Sequence, residues 1–549
     1  MKAKKTELAG VLCLVLAGLS AASAAADVRT FTVDAAQTGA ELPNTSQMLI
    51  AWAAPKPVDP ALLSEPEWDV RDFAEWVEIM GATGGNNVRD CYREPKNRAV
   101  KDDYDFAKLV DGCKAILAQG MKPYVKLGNV PMKLSSNITN GDFEMNVRPP
   151  DDYEEYARYM EACARALLAA FGKEELLKWR FAVLTEYENG GWFLDASGNA
   201  ERTFHAYCLL YEKTVAVFSR VVSPDLAFGA HAMAVTEGLW DERRFFAFVA
   251  VRKLPLKFVT ASFYDMKPGQ FTHGLTLPKT ILHLREAAEK AGLKNLFYGV
   301  DEGRILEGVD GGKGSRNLAM RIVGDTYQAA YDARVVHQLF DTGADYFAAW
   351  GYLSGPHTWY QGLPSVSFHV AKEAAKFKGM RRLAVAAKGG ARKDLELEAV
   401  AALDKSGRKM QIMAYSFTNS LHAAGTVKMR FDVKFPETWR GKNVTVTRRL
   451  VDDNSNWFDE WRKDRKALGL TDDRFNWSPD DPSVETGVGL ADVKDRAHFR
   501  DVLAPRYREL AQLKPKSRTV AVEEGKNLVF DSAIQVNSAM FLEFVLASE

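Results

Sequence analysis

The chain has 549 residues, 72 Lys+Arg against 72 Asp+Glu, and 47% hydrophobic with 11% aromatic content. Balanced charge with scattered basic patches offers no footprint for nucleic acid or another polyanion, and the length exceeds what one hydrophobic core usually supports, so two domains are expected. Five cysteines at wide spacing resemble neither a disulfide-rich scaffold nor a metal cluster.

Residues 1–26 read as a signal peptide. Met-Lys-Ala-Lys-Lys is followed by the apolar stretch Leu8 to Leu19 and by Ala22-Ser-Ala-Ala-Ala26. That is a basic start, a short hydrophobic core and a small-residue cleavage region, with cleavage expected after Ala24 or Ala26. The core is too short to be read as a membrane span, and Leu12 before Cys13 does not suit a lipoprotein anchor. The expected location is periplasmic or extracellular. Removal of the segment leaves 69 basic against 71 acidic residues, a net charge of −2. Cys91, Cys113, Cys163 and Cys208 persist. Their disulfide state is open, with Cys113 and Cys163 on apolar helix faces.

Val28 to Val33, within the N-terminal segment 27–44, is a strand candidate placed to pair with the C-terminal sheet. From residue 45 to 377, short hydrophobic runs alternate with amphipathic, helix-length segments. The candidate strands are Met48 to Trp52, Gly84 to Val88, Pro123 to Leu127, Trp179 to Thr185, Leu226 to Ala230, Phe258 to Ser262, Leu296 to Val300 and Tyr346 to Trp350. Eight such runs match a (β/α)8 TIM barrel. Among the helices, Asp151-Asp-Tyr-Glu opens one whose Tyr156, Met160, Cys163, Ala164 and Leu167 recur at helical spacing. Another runs from about Tyr327 to Phe340. Residues 378–549 read instead as β-rich: Leu395 to Leu403, Lys409 to Ser416, Thr426 to Val433, Asn443 to Leu450, Leu528 to Phe530 and Phe541 to Leu546 suit a β-sandwich. The charged, Trp-rich stretch Phe458 to Pro482 reads as an excursion or short helix.

Two carboxylates each close a strand-like run, Glu186 after Arg180 to Thr185 and Glu302 after Asn295 to Asp301. Acids so placed meet at the C-terminal mouth of a barrel, where one protonates a leaving oxygen and the other attacks an anomeric carbon. Retention requires their carboxyls roughly 5–5.5 Å apart. Period-two alternation turns Asp301 away from the side of Glu302. Arg89 and Arg304 are candidate charged neighbours. Sugar rings suit flat aromatic walls, and the strand ends carry Tyr92, Tyr187, Trp192, Phe193, Phe263, Tyr264, Trp350, Tyr352, Trp359 and Tyr360, although an aromatic taken singly is more often core. Glu188, Asn189 and Glu237 lie close to these strand ends. The first is an alternative acid, the second a residue that can orient either glutamate, the third a subsite residue or a solvated loop acid. Nine histidines show no ligand spacing, so no metal is implied. Gly311 to Gly314 is a loop rather than a nucleotide-binding turn, and no cofactor is expected.

Three segments resemble glycoside hydrolase family 39, the group of β-xylosidases and α-L-iduronidases. They are Gly120 to Pro131, Trp179 to Asn189, and Arg449 to Trp461 in the second domain. The resemblance implies a retaining, exo-acting, β-xylosidase-like hydrolase in which Glu186 is the acid/base and Glu302 the nucleophile. Substrate-binding candidates are Arg89, Tyr92, Thr185, Asn189, Trp192, Glu237, Tyr264, Trp350 and Tyr352. The chain departs from the family pattern where Thr185 replaces the usual Asn, where the sixth strand ends with Ser262 and Tyr264, and where Asp301 precedes Glu302. Those departures leave open an arabinosidase, glucosidase, galactosidase or iduronidase-like specificity, or a secreted carbohydrate-binding protein with a degenerate barrel. The expected partner is an oligosaccharide or glycoside, and homo-oligomer formation is left open.

Overall fold

A computed structural model describes residues 28–52, 68–141, 144–267, 270–271, 275–305, 326–349, 359–360, 363–418, 423–468 and 493–547. Residues 1–26, read as a signal peptide from the sequence, and Gly311 to Gly314 lie outside these residues.

Eight parallel strands form the first sheet in sequential order: Met48–Trp52, Trp76–Met80, Lys122–Leu127, Arg180–Val183, Ala227–Ala232, Phe258–Lys267, Phe297–Ile305 and Phe347–Ala349. They are called here the first to eighth barrel strands. The two edges come together where the Phe347 backbone amide donates to the Thr45 carbonyl at 3.0 Å and the Gln47 side-chain amide to the Asp345 carbonyl at 3.2 Å. The second strand corrects the sequence expectation. It is Trp76–Met80, and Gly84 to Val88 lies in the turn beyond it.

Helices on the outside bury one stripe each. Tyr153–Phe171 begins at Asp152, whose carboxylate accepts from the Glu154 amide, and buries Tyr156, Met160, Cys163, Ala164 and Leu167 as the helical spacing predicted. All four described cysteines are buried and free. Among the described residues no helix is long and apolar enough to cross a membrane.

The barrel interior is layered, as side-chain alternation on parallel strands requires. Trp76, Phe258 and Tyr346 surround the Arg180 guanidinium, which lies 4.5 to 5.7 Å from their ring centres. Above them a polar layer holds Glu78, Tyr124, Lys126, His231 and Asp301, all buried. The two strand-end glutamates stand above that.

The second sheet has nine strands, in the spatial order Lys516–Ala521, Asn443–Val451, Ser538–Leu546, Lys409–Phe417, Glu396–Leu403, Arg381–Lys388, Arg29–Glu41, Thr426–Lys434 and Leu528–Gln535. The N-terminal strand thus sits inside the C-terminal sheet, antiparallel to Arg381–Lys388 and parallel to Thr426–Lys434. The sheet curls into a sandwich-like shape. Phe435 and Phe530 from one end lie 5.7 and 6.5 Å from Phe544 near the other. The barrel helix Thr326–Thr342 packs on this sheet through Tyr327 against Phe417 and His337 against Tyr415. The segment after Val451 completes the joint: Asn456 donates to the Thr326 hydroxyl at 3.2 Å and the Trp457 indole to the Pro364 carbonyl at 2.6 Å.

Candidate active site

The end of the fourth strand is strongly bent. Leu184 and Glu186 adopt φ of 64° and 44°, a left-handed conformation that is uncommon for residues with a Cβ and recurs at functional sites. A turn then folds back, with the Asn189 amide bonding the Glu186 carbonyl at 2.8 Å and the Trp192 amide the Asn189 carbonyl at 2.9 Å. This brings two donors to one carboxylate oxygen. Asn189 Nδ2 lies 2.6 Å and Trp192 Nε1 3.1 Å from Glu186 Oε2. The other oxygen, Oε1, accepts from Ser262 Oγ at 2.5 Å.

Glu302 reaches the same place through a bulge. In the pairing of the sixth and seventh strands, Ala261 faces Val300 but Ser262 faces Glu302, so Asp301 is the extra residue. Glu302 accepts from the Tyr264 hydroxyl. The following Gly303 is required by space, because a Cβ there would lie 2.4 Å from the Phe263 carbonyl oxygen. Burial and then the charge of Glu186 push the Glu302 carboxyl up to about 8, against the pull of the Tyr264 hydroxyl. Two like charges so placed disfavour joint ionisation, which suits the pair to sharing one proton.

The bulge also overturns the expected orientation of Asp301. It does not point away but enters the polar layer, accepting from the Tyr124 hydroxyl at 2.7 Å and the Tyr346 hydroxyl at 2.5 Å, with the Lys126 ammonium 3.1 Å away. Burial disfavours its charge, but the Lys126 ammonium and then the two hydroxyls outweigh it and hold its carboxyl below the usual carboxylate range. Lys126 lies 2.6 Å from Glu78 and 2.5 Å from His231 Nδ1. Glu78, His231 and Asp301 are grouped closely enough to hold a cation. The Lys126 ammonium already stands within contact of all three, supplying the positive charge that a metal would bring.

Thr185, Asn189, Trp192 and Tyr264 therefore gather about the two glutamates, though not all as expected. Thr185 is buried, with its hydroxyl 2.7 Å from His231 Nδ1 and 3.2 Å from Lys126 Nζ. Trp192 is a buried donor to Glu186 rather than an open aromatic wall. Tyr92 is core: it stacks on Tyr159 at 5.1 Å beneath the Lys133 ammonium. Tyr187 is likewise packed among Tyr207, Trp240 and Phe245. Arg89 lies in the turn beyond the second strand with Nη1 3.3 Å from Met145 Sδ, and Glu237 is exposed beyond the fifth strand. Glu188 is fully buried, accepting from the Met233 amide at 2.8 Å, and is packed so closely that a Cβ on Gly238 would lie 1.9 Å from its side chain. Trp350 and Tyr352 lie outside the described residues, as do the side chains of Arg304, Trp359 and Tyr360.

The comparisons agree with this architecture. The model for glycosyl hydrolases family 39 matches residues 86–389, more than half of the chain. The chain belongs to that family. Among individual relatives, the β-xylosidase of Caldicellulosiruptor saccharolyticus is 27% identical over 162 residues, covering 29% of this chain and 31% of that one. The β-xylosidase of Geobacillus stearothermophilus is 28% identical over 178 residues, 32% of this chain and 34% of that one. The chain thus matches about a third of the length of these curated relatives. In fold, the GH39 enzyme from Xanthomonas axonopodis pv. citri superposes with a TM-score of 0.66 over 95% of this chain and 98% of that one, at 15% identity.

The residues that sequence reasoning missed are Glu78, Tyr124, Lys126 and His231. Each lies inside a predicted or actual strand, and alternation marks it as inward-facing. Strand register is what brings them together.

Proposed function

We propose that this family 39 member is an exported, retaining, exo-acting glycoside hydrolase of β-xylosidase type, with Glu186 as acid/base and Glu302 as nucleophile. The observation that carries the reading is the placement of these two buried carboxylates at the C-terminal ends of the fourth and seventh strands, bridged by the sixth strand, whose Ser262 donates to Glu186 and whose Tyr264 donates to Glu302. The likeness to β-xylosidases supports xylose-like units as the substrate class.

In this mechanism the shared proton resides on Glu186 once a glycoside is bound. Positive charge developing at the anomeric carbon favours ionised Glu302, and Tyr264 holds the attacking oxygens in place. Glu302 attacks as Glu186 protonates the leaving oxygen. The covalent ester removes the negative charge of Glu302, and Glu186, now ionised and held by Asn189, Trp192 and Ser262, deprotonates the incoming water. No step calls on a metal or organic cofactor.

A 2-deoxy-2-fluoro glycoside with a good leaving group tests the assignment. A covalent adduct is expected on the peptide carrying Glu302. Label on Asp301 or Glu237 would remove the nucleophile assignment.

A further inference from the structure

The polar layer inside the barrel is joined to Glu186 by a line of buried side chains. Lys126 Nζ lies 2.5 Å from His231 Nδ1, His231 Nε2 lies 3.0 Å from Ser262 Oγ, and Ser262 Oγ lies 2.5 Å from Glu186 Oε1. Lys126, His231 and Ser262 are each at most 1% exposed and come from the third, fifth and sixth strands.

The chemistry of the first member gives this line a direction. An ammonium donates and cannot accept, so His231 Nδ1 facing it must present a lone pair. The Thr185 hydroxyl, 2.7 Å from the same nitrogen, can also donate there. The ring proton therefore sits on Nε2 and is donated to Ser262 Oγ. The single hydroxyl proton of Ser262 is then left for Glu186. Were the proton on Nδ1 instead, Nε2 would take the Ser262 proton, and Glu186 could keep its contact only by being protonated itself. The position of one imidazole proton thus selects the form of Glu186 that the site favours. Glu78 and Asp301, 2.6 and 3.1 Å from the ammonium, hold Lys126 charged at the head of the line.

We infer that Lys126, His231 and Ser262 form a directed hydrogen-bond relay that orients the Glu186 carboxyl and lowers its proton affinity, an inference that rests on Glu186 being the acid/base. Ser262 and His231 are positioning residues acting through Glu186. Burial and the neighbouring ammonium hold the His231 imidazole well below its ordinary range, in keeping with a ring that stays neutral. Among the described residues, the other titratable groups facing Glu186 include Glu302 from the seventh strand, with the Tyr264 hydroxyl on it, and Glu188 from its own turn. Asp301 and Glu78 lie behind Lys126. None of these takes the place of Ser262 on Oε1.

Two measurements on the full chain test the relay. In histidine-15N-labelled protein, His231, assigned from spectra of Ser262→Ala and His231→Met, should be the neutral Nε2–H tautomer throughout pH 5–9. An Nδ1–H tautomer or an imidazolium would overturn the proposal, and either variant alone suffices for the assignment, so the reading stands where the other fails to fold. In kinetics, Ser262→Ala should move the alkaline limb of kcat/KM upward by about half a pH unit or more, since a donor to the charged form is lost, and Ser262→Thr should restore it. His231→Met should shift the limb in the same direction, and the double variant no further than either single one. An unmoved limb in folded Ser262→Ala, or additive shifts, would overturn the relay. Full activity of Glu186→Gln on unactivated glycosides would instead overturn the acid/base reading, leaving the tautomer result standing, so the two failures are distinguishable.

Discussion

At the scale of single residues, the site holds one acid at a cost to the fold. A carboxyl raised from 4.5 to about 8 keeps its proton in the native state over a pH range where the unfolded chain has released it. Its contribution to stability therefore falls as pH rises from about 4.5 to about 8, by up to about 1.4 kcal/mol per pH unit. Glu302→Gln should accordingly match the parent in denaturant stability at pH 4 and exceed it increasingly towards pH 8; parallel stability profiles would contradict the raised carboxyl. Catalysis needs the singly protonated pair, so kcat/KM should fall above about pH 8. Glu186→Ala should lose about 10²–10⁴-fold on substrates with poor leaving groups and far less on activated aryl glycosides, with azide restoring turnover as a glycosyl azide of retained configuration. Equal loss on both substrate types without rescue would contradict the role of Glu186. Both glutamates were legible in the sequence because each closes a hydrophobic run. Lys126 and His231 were not, because a lysine in Tyr-Val-Lys-Leu reads as a solvated strand residue until Asp301, 175 positions later, is known to face it.

At the scale of elements, alternation placed most strands within a few residues, and its failures have physical causes. The second barrel strand, Trp76-Val-Glu-Ile-Met80, carries Glu78 at its centre, where burial raises the carboxyl against the pull of the Lys126 ammonium 2.6 Å away, an environment that an apolar pattern does not announce. Strict alternation also misread Asp301, since a bulge adds a residue that period-two counting cannot anticipate. In the second domain, Lys516–Ala521 escaped notice because it is an exposed edge strand with no apolar face to read. The segment Arg449 to Trp461, singled out by family resemblance, turns out to be a clasp between the domains. Trp457 is buried against Tyr507 at 5.4 Å and bonded to Pro364. Trp457→Ala should lower stability by about 3–5 kcal/mol, measurable by denaturant unfolding, while leaving the trapped-nucleophile assignment unchanged. A loss under 1 kcal/mol would mean that the clasp does not hold the domains.

At the scale of the whole molecule, the barrel and the curled sheet share a continuous hydrophobic core that includes Val400, Met413, Tyr415 and Phe417 beside the barrel helices. The β-rich domain is therefore an integral buttress of the barrel. The sequence pattern made the two-domain plan readable because the apolar period changes near residue 380. The N-terminal strand joins the C-terminal sheet as expected from its sequence, whereas the curl of that sheet and the strand's exact seat between Arg381–Lys388 and Thr426–Lys434 depended on pairings hundreds of residues apart, such as Phe31 with Phe431. The proposed chemistry is a double displacement in which Glu186 and Glu302 act together. The most direct measurement is proton NMR of the first sugar released from an aryl β-xyloside, recorded before mutarotation. The β anomer, the configuration of the substrate, is expected; release of the α anomer would contradict the double displacement and remove both carboxylate roles at once.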